Sequence, residues 1–419
     1  MTSAAANLQG LLGLVVLTGL AWLLSEQRGA VRPRLIIGGL LLQLILALIL
    51  LRLPPARTLF LTLNDLVLGL QAATESGTQL VFGFLGGGAA PFEVAYPHNS
   101  FVLAFRALPL LLVISALSAL LFHLRILPVL VRSFAWVLRK TLGTGGPLGL
   151  GAAANIFVGM TEAPLLIRPY LDAMSRSALF GLMVCGMATI AGTVMVLYAG
   201  FLQGAIPDAM GNIITASLIS APAALMIAGI LVPETDAQAV PPTPRIDIET
   251  EGAMDAVTRG TLDAIPLWFN IIAMLVVMVA LVNIANQLLG LLPTIGDEPL
   301  TFQRLLGWIM APVVWLIGIP WAETQPAGAL MGVKTILNEL VAYIELANLP
   351  PEALSDRSRL IMTYALCGFA NFGSLGIMIG GLGAMAPKRR TEIVALGMKS
   401  ILAGTMATLM TGAIVGILI

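Results

Sequence analysis

Apolar stretches of roughly twenty residues recur along most of this 419-residue chain. Each is close to the length that an α-helix needs to cross about 30 Å of hydrocarbon, at roughly 1.5 Å per residue. Charged residues make up only 11% of the sequence, whereas about 25% is usual in a soluble domain. Too few charges remain to cover a water-facing surface. The sequence therefore excludes an ordinary soluble enzyme and predicts an all-α integral membrane protein.

The apolar stretches predict about eight full transmembrane helices, at residues 8–24, 35–51, 101–124, 179–202, 213–232, 265–289, 359–380 and 393–419. Two further segments, 56–71 and 126–142, mix apolar and basic residues, which is typical of helices lying along the membrane interface. A short amphipathic connector packed on protein explains these two segments equally well. The basic residues at 28–34 and 388–390 lie in short loops, so the positive-inside rule predicts that both loops are cytoplasmic and both termini are outside.

Two apolar segments, 148–171 and 326–346, carry acidic, amide and basic residues near their middles. Each is too polar for a lipid-facing span and too apolar for a water-exposed loop, so we interpret both as re-entrant helical hairpins. A glycine-interrupted span follows each hairpin, at 186–192 and at 367–374. Paired, interrupted segments in two halves are typical of the inverted repeats of secondary transporters. Chance similarity is the alternative, because few residues are identical between the halves.

Glu162 and Glu339 are the most informative residues, because a carboxylate at membrane depth costs at least ~2.5 kcal/mol on insertion scales. Such a group normally faces a cavity or a partner. We predict that both accept hydrogen bonds from a polar substrate or take part in ion coupling. The alternative is a local ion pair, of Glu162 with Arg168 or of Glu339 with Lys334.

Amides and hydroxyls cluster near the two acids. Asn155, Asn338 and Asn371 donate and accept hydrogen bonds, which suits a polar uncharged ligand, although amides also join helices in membranes. Thr189 and Ser374 lie at the predicted helix breaks. With Asn155 and freed carbonyls they provide oxygen ligands for a hard cation such as sodium; the alternative is that the hydroxyls bond back to their own helix.

Other features narrow the class of protein. A net charge of zero gives no electrostatic case for nucleic-acid binding. The sequence contains no Walker A motif, which argues against an ATP-driven pump, and no nucleophile or metal set accompanies the acids, which argues against an enzyme. Arg106, inside the third predicted span, is expected to be buried and paired; the alternative is that it snorkels to an interface. A passive channel lined by the same polar residues stays open as an alternative.

Four motifs, in order along the chain, resemble signatures of the concentrative nucleoside transporters: NIFVGMTEAPLLIRPYL at 155–171, GMATIAGTV at 186–194, GVKTILNELVAY at 332–343 and CGFANFGSLGI at 367–377. The likeness extends from about residue 101 to the C-terminus. It implies sodium- or proton-driven nucleoside import across a bacterial inner membrane. It also implies a homotrimer, in which the transport domain of each protomer moves like an elevator against a scaffold.

The resemblance also implies roles for individual residues. Those matching the base side of the nucleoside site are Gly159, Met160, Thr161 and Glu162, with Val194 as an apolar wall. Those matching the ribose side are Glu339, Asn371 and Ser374, with Phe369 beside them. Those matching the sodium site are Asn155, Val158, Thr189 and Ile190, two of them through backbone carbonyls. Sodium is the coupling ion in this interpretation, and no other cofactor is expected.

Two departures from the family pattern concern the substrate site. Met160 stands where many members have a glutamine that bonds the base, and methionine cannot donate a hydrogen bond. Gly373 stands where serine is commoner. We therefore expect a shifted base preference, and proton coupling stays open as an alternative to sodium.

The predicted organisation alternates scaffold and transport segments. N-terminal spans and an interfacial helix occupy 1–100, and a scaffold span with a second interfacial helix occupies 101–142. The first half of the transport domain, with the span that follows it, occupies 143–232, and a polar linker occupies 233–259. A scaffold span and interfacial segment occupy 260–325, the second half of the transport domain 326–385, and the last span 386–419.

Overall fold

Helices form every regular element in the part of the chain that the structure describes. The structure is a computed structural model that describes residues 3–93, 101–202, 204–235, 250–294 and 299–419. Its N-terminal helices are α1 (Ser3–Leu23), α2 (Pro33–Arg52), α3 (Pro54–Phe82), α4 (Leu103–Arg106), α5 (Leu110–His123) and α6 (Ile126–Leu142).

Two series of helices with the same order follow. The first series is α7 (Gly146–Asn155), a 3₁₀ segment (Ala163–Ala173), α8 (Arg176–Ala188), α9 (Gly192–Leu202) and α10 (Ala209–Leu231). Two connecting helices are α11 (Ala253–Leu289) and α12 (Phe302–Leu316). The second series is α13 (Thr324–Ile336), α14 (Glu339–Asn348), α15 (Asp356–Leu366), α16 (Phe372–Met385) and α17 (Arg390–Leu418).

Helices long enough to span a membrane occur where the sequence predicts them. Among the described residues, six helical stretches are long and apolar enough to cross a bilayer: Pro33–Arg52, Leu103–His123, Arg176–Leu202, Ala209–Leu231, Ala253–Leu289 and Pro387–Leu418. Helix α1 and the broken pair α15–α16 complete the predicted set of eight. The pair falls short of spanning length because its break divides it into two short helices, of which α16 is the more apolar.

The two series begin their broken helices in the same way. Ser175 caps α8 by accepting a hydrogen bond from the Ala178 amide (3.1 Å), and Ser355 caps α15 by accepting one from the Ser358 amide (3.4 Å). Serine is favoured at this position because its hydroxyl satisfies an amide that has no partner within the helix. The matching order of hairpin, broken helix and long helix confirms the predicted inverted-repeat, all-α architecture.

Several local expectations need correction. Helix α3 is longer than the predicted interfacial segment 56–71, because no proline or left-handed residue interrupts it before Gly83, whose φ of 59° ends the helix after Phe82. The second arm of the first hairpin is a 3₁₀ helix, since prolines at 164 and 169 lack the amides that an α-helix uses. Part of the predicted linker, 236–249, lies outside the described residues. Its last residues are helical, because α11 begins at Ala253.

Arg106 lies elsewhere than expected. It ends the short helix α4, one turn into the Leu103–His123 stretch, and its side chain is 38% exposed, so the expectation that it is buried several turns from the end of the span is wrong. The predicted pairing is present, because Arg106 Nη2 lies 2.9 Å from Glu75 Oε1 on α3.

Burial separates central from peripheral helices. Most of the α10 and α17 spans is buried, and α1 packs against α17 while α2 packs against α10. Helix α11 packs against α5 but leaves large apolar side chains exposed, among them Phe269, Val276 and Leu288. Helices α8 and α15, whose ends form the two breaks, pack against α17 and α10, so the breaks lie in this buried core.

Candidate functional site

The two helix breaks meet inside the protein. Helix α8 ends at Ala188 and α15 ends at Leu366, and a short non-helical segment follows each of them before the next helix starts. At the second break, a Cβ added to Gly368 would lie 2.9 Å from the Met187 carbonyl oxygen and 3.0 Å from that of Ala188. Glycine is therefore required for this close approach. Each break also frees helix-end carbonyls and amides for other partners.

One cavity collects residues from both hairpins, both breaks and α11. Its polar lining residues are Thr161, Glu162, Thr193, Tyr198, Asn270, Asn338, Glu339, Asn371 and Ser374. Its apolar lining includes Met160, Ala191, Val194, Leu197, Leu267, Ile271, Leu337, Leu340, Phe369, Gly373 and Ile377. The two intramembrane glutamates, far apart in sequence, thus face a shared space, as a small-molecule site requires.

Glu339 is the most constrained carboxylate of the site. It is buried at the start of α14, where Asn338 caps the helix by accepting from the Val341 amide (2.9 Å). Its Oε1 accepts a hydrogen bond from Tyr198 Oη (2.5 Å), and its Oε2 accepts one from Asn371 Nδ2 (2.7 Å). These charge-assisted bonds hold the carboxylate in one orientation at the cavity wall.

Asn371 links Glu339 to the second break. Its side-chain oxygen accepts from the Ser374 amide (2.7 Å) and so caps α16, while its amide nitrogen donates to Glu339. The Ser374 hydroxyl has no hydrogen-bond partner within the described residues and lines the cavity. Phe369, nearly buried, lies beside them. This side of the cavity offers a carboxylate, an amide and a hydroxyl within one chain of contacts.

Glu162 occupies the tip of the first hairpin. Its Oε2 accepts from Thr161 Oγ1 (2.8 Å), and the carboxylate is otherwise open to the cavity. Gly159, with φ of 106°, makes the turn of the tip; a Cβ there would lie 2.7 Å from Ala191 Cβ and 2.8 Å from Glu162 Oε2. Gly159 therefore supports the tip from behind and does not line the cavity.

The ion pairs that stood as the alternative for the two glutamates are not formed. Within the described residues, no salt bridge joins Glu162 to Arg168 or Glu339 to Lys334. Both carboxylates are therefore left for other interactions at the cavity. Met160 and Val194 contribute apolar wall, and Met160 packs on Gly186, where an added Cβ would lie 2.9 Å from Met160 Cβ.

The residues of the predicted cation site also come together. Asn155 is almost fully buried at the end of α7, and neither polar atom of its side chain has a hydrogen-bond partner. Thr189 Oγ1 lies 3.4 Å from the Asn155 carbonyl oxygen, but it also bonds back to the Cys185 carbonyl (2.9 Å). The Ile190 amide donates to Ser217 Oγ (3.4 Å), and Val158 lies in the turn that follows α7.

A buried amide without a partner calls for an ion or a water. The groups around Asn155 are neutral oxygens, and the described residues contain no cluster of three or more histidine, cysteine or carboxylate ligands. Such a donor set fits a monovalent hard cation and does not fit a transition metal. The residues present therefore suit sodium.

Besides Thr193, which lies inside a matched motif, two polar cavity residues escaped the sequence predictions. Tyr198 is one of only five tyrosines and lies on α9, six residues after the first residue of that helix, where a phenol in a mostly apolar helix was a usable signal. Asn270 is an amide in the apolar part of α11. Neither lies in a matched motif, and only the packing of α9 and α11 against the hairpins brings them to the cavity.

Family models match nearly the whole chain. The model described as the C-terminus of the Na⁺-dependent nucleoside transporter matches residues 212–416, and the one for its N-terminus matches residues 12–85. A model described as nucleoside recognition matches residues 104–205, which include the first hairpin and both α8 and α9.

Individual proteins resemble the chain over their full lengths. It is 38% identical to an uncharacterized transporter of Haemophilus influenzae, over 98% of each protein. It is 35% identical to the nucleoside permease NupC of Helicobacter pylori, over 99% of this chain and 98% of the permease. The structure of CNTnw in an inward-facing, substrate-bound state is 37% identical, with a TM-score of 0.89 over 98% of each chain. The chain therefore belongs to the family of sodium-dependent, concentrative nucleoside transporters.

Proposed function

We propose that this protein is a secondary active symporter that imports nucleosides together with sodium. The observation that carries the proposal is the single cavity shared by Glu162, Glu339, both hairpins and both helix breaks. The family description and the permease activity named for the Helicobacter relative support the same substrate class and coupling ion.

The ribose would bind on the Glu339 side. Each Glu339 oxygen already accepts one hydrogen bond and retains capacity for another, so ribose hydroxyls can donate to it. Asn371 and Ser374 add neighbouring polar groups, and Phe369 covers the sugar with an apolar face. A sugar held this way would also give the Ser374 hydroxyl a hydrogen-bond partner.

The base would bind on the first-hairpin side. Glu162 and Thr161 offer polar atoms to its edge, and Met160 and Val194 offer apolar contact to its face. Gly159 shapes the tip that carries them. Because Met160 cannot donate a hydrogen bond, base recognition on this side depends on Glu162 and Thr161.

The sodium ion would lie at Asn155, Val158, Thr189 and Ile190, where the first hairpin meets the first break. Its charge would satisfy the Asn155 side-chain oxygen and fix the turn that leads to Gly159 and Glu162. Ordering this tip raises nucleoside affinity, and thermodynamic linkage requires that nucleoside raise sodium affinity by the same factor.

Transport would proceed by elevator-type alternating access. The hairpins and broken helices, within 143–232 and 326–385, form the mobile body, and the spans within 101–142 and 260–325 form the scaffold. The cavity supports this division, because α11 contributes one wall through Leu267 and Ile271 while the hairpins contribute the opposite one. Movement of the hairpins past α11 would expose the substrate to either side.

The assembly and location follow from the same interpretation. We infer a homotrimer in a bacterial inner membrane, with the basic loops at 28–34 and 388–390 facing the cytoplasm. Crosslinking of the protein in membranes, followed by mass measurement, should give a three-subunit limit. A product limited to one or two subunits would contradict the trimer.

Uptake into proteoliposomes tests the function directly. Radiolabelled uridine, cytidine, adenosine and guanosine should accumulate above the external concentration when an inward sodium gradient is imposed, and should not do so without sodium. A pH gradient alone should give no accumulation. Accumulation driven by the pH gradient would favour proton coupling, and simple equilibration without accumulation would favour a passive channel; either result contradicts the proposal.

A further inference from the structure

Lys334 is a fully buried cation with an unusual pair of partners. It lies on α13 in the second hairpin, and its side chain has no solvent exposure. Its Nζ donates to the Ala365 carbonyl oxygen (2.8 Å) and to Thr408 Oγ1 on α17 (2.9 Å). Within the described residues, no carboxylate forms a salt bridge with it. Glu339 acts on it electrostatically without direct contact, and a buried ammonium without a salt bridge needs a nearer source of negative potential.

The end of helix α15 supplies that potential. Ala365 lies in the last turn of α15, which stops at Leu366 inside the protein. The last carbonyls of a helix have no intrahelical partners and carry partial negative charge. Lys334 therefore caps the C-terminal end of the second broken helix, as basic groups at helix ends do.

The repeat gives Lys334 a counterpart in the first half. The serines that cap α8 and α15, Ser175 and Ser355, correspond to each other. The interval from Asn155 to Ser175 is one residue shorter than the interval from Lys334 to Ser355. Asn155 in the first hairpin and Lys334 in the second thus occupy equivalent places, each beside the end of a broken helix.

In the first half, the end of the broken helix also favours a positive charge, but the side chain at the equivalent place, Asn155, carries none. Helix α8 also stops inside the protein, at Ala188, and its last turn faces Asn155 and Thr189. The Asn155 side chain is neutral and both its polar atoms lack partners. Only a mobile cation can supply the positive charge that Lys334 supplies in the second half.

We propose that the Lys334 ammonium is a tethered cation that does for the second hairpin what a bound sodium ion does for the first. One broken helix is capped permanently and the other only when sodium is present. The part concerning sodium rests on the proposed function; the capping role of Lys334 does not. Two consequences are that the second hairpin is ordered without sodium and that one sodium ion moves with each nucleoside.

Rescue by a small amine tests the tethered cation without any nucleoside. In detergent, Lys334→Ala should lower the Tm by about 5 °C or more, because it removes the cap and leaves a cavity. Methylammonium should restore part of this loss, whereas tetramethylammonium, which has the same charge but cannot donate or fit, should not. Wild type and the control variant Lys388→Ala, which removes an exposed lysine, should respond equally little to both salts.

Two outcomes of this experiment would overturn the proposal. One is a Lys334→Ala variant as stable as wild type. The other is a destabilised variant that methylammonium and tetramethylammonium affect equally. Lys334→Met, which keeps most of the volume but not the charge, should be destabilised and should not be rescued, because no space is left for the amine.

Two further measurements, one on wild type and one on a variant of Asn155, test the inference even if Lys334 variants do not fold. The sodium dependence of nucleoside binding to wild type should have a Hill coefficient near 1, and a value near 2 would contradict a single mobile ion. The reciprocal variant Asn155→Lys should bind nucleoside equally well in sodium and in choline, because the new ammonium replaces the ion. If nucleoside binding by Asn155→Lys still required sodium, the two places would not be equivalent. If sodium had no effect on nucleoside binding to wild type, the proposed function itself would be contradicted.

Discussion

At the scale of single residues, the site is organised around one chain of hydrogen bonds. Tyr198, Glu339 and the Asn371–Ser374 cap come from three different helices, α9, α14 and α16, and each is oriented by the next. Such a network fixes side chains before a ligand arrives, which lowers the entropic cost of binding. The residues with the largest expected effects on binding are therefore those that hold Glu339 as well as Glu339 itself.

Replacement of the central carboxylate should abolish transport. In Glu339→Gln, an amide group replaces an anionic oxygen and faces the donors of Tyr198 or Asn371, so uridine uptake should fall by about 100-fold or more. The measurement is initial uptake rate in proteoliposomes. Glu345→Gln, on the same helix but away from the cavity, is the matched control and should transport normally. Near-normal uptake by Glu339→Gln would defeat the ribose assignment.

The tyrosine that orients the carboxylate should matter for affinity. Tyr198→Phe removes a hydrogen bond to a charged group, worth about 1.5–3 kcal/mol, so the KM for nucleoside should rise about 10-fold or more. Tyr343→Phe is a close control, since its ring lies 5.1 Å from that of Tyr198 and its hydroxyl bonds the Thr363 carbonyl. That control should lower thermal stability and leave KM unchanged. Equal KM values for the two variants would contradict an orienting role for Tyr198.

At the scale of elements, the crossing of the two breaks decides where the cavity forms. Both interrupted helices stop where the other passes, and glycine at the crossing lets backbone approach backbone. The crossing also brings helix ends close to the hairpins, so that the Asn371 cap, the Lys334 contact and the residues of the proposed ion site lie within one region. Helical segments without these interruptions would have no free backbone groups to offer.

A methyl group at the crossing should disrupt it. Gly368→Ala would bring a Cβ to 2.8 Å from Thr408 Cγ2 and to 2.9 Å from the Met187 carbonyl oxygen. Overpacking of this kind costs about 1–3 kcal/mol, so thermal stability should fall and uptake should drop by about 10-fold. Gly380→Ala, on α16 with no heavy atom within 4 Å of the added carbon, is the control and should behave as wild type. If Gly368→Ala kept the stability and uptake of wild type, close contact between the two breaks would not be required.

At the scale of the whole molecule, a network of charged residues joins the loop between α1 and α2 to both series of helices. Glu26, between α1 and α2, accepts hydrogen bonds from Arg176 Nη2 of α8 (3.0 Å) and from Lys399 Nζ of α17 (2.8 Å). Arg176 also lies 3.7 Å from Glu392, which pairs with Arg389 at 2.6 Å. This network ties the N-terminal spans to the helices that follow each hairpin.

The network should make stability depend on pH in one direction. The hydrogen bond from Arg176, assisted by Lys399, holds the pKa of the Glu26 carboxyl below its ordinary value. A lowered folded-state pKa adds stability that is fully present above the unfolded pKa and is lost as the pH falls through the folded pKa. Because the pair is partly exposed, the effect is small.

The test compares thermal stability with and without the carboxylate. Glu26→Gln should melt about 1–3 °C below wild type at pH 7, and the difference should shrink as pH falls from about 5 toward about 3. Glu352→Gln, which removes an exposed carboxylate with no ion pair within the described residues, should match wild type throughout. A constant difference between Glu26→Gln and wild type at all pH values would exclude the charge as its cause.

Much of this arrangement follows from local sequence. The shortage of charges and the lengths of the apolar runs determine a multi-span helical protein, because backbone groups in hydrocarbon must bond within their own helix. Acids, amides and glycines in otherwise apolar segments mark the hairpins and breaks, because such residues are too costly to face lipid. Glu162, Glu339 and Asn371 are therefore identifiable without a structure.

Tertiary structure alone decided which partners these groups have. The sequence left Glu339 with Lys334 as its nearest basic neighbour, yet packing turns Lys334 toward the end of α15 and gives Glu339 to Tyr198 and Asn371. Tertiary packing also brings Asn270 of α11 to the cavity. The physical reason is that local patterns fix how polar a segment is, whereas hydrogen-bond partners depend on which distant helix ends meet at the same depth.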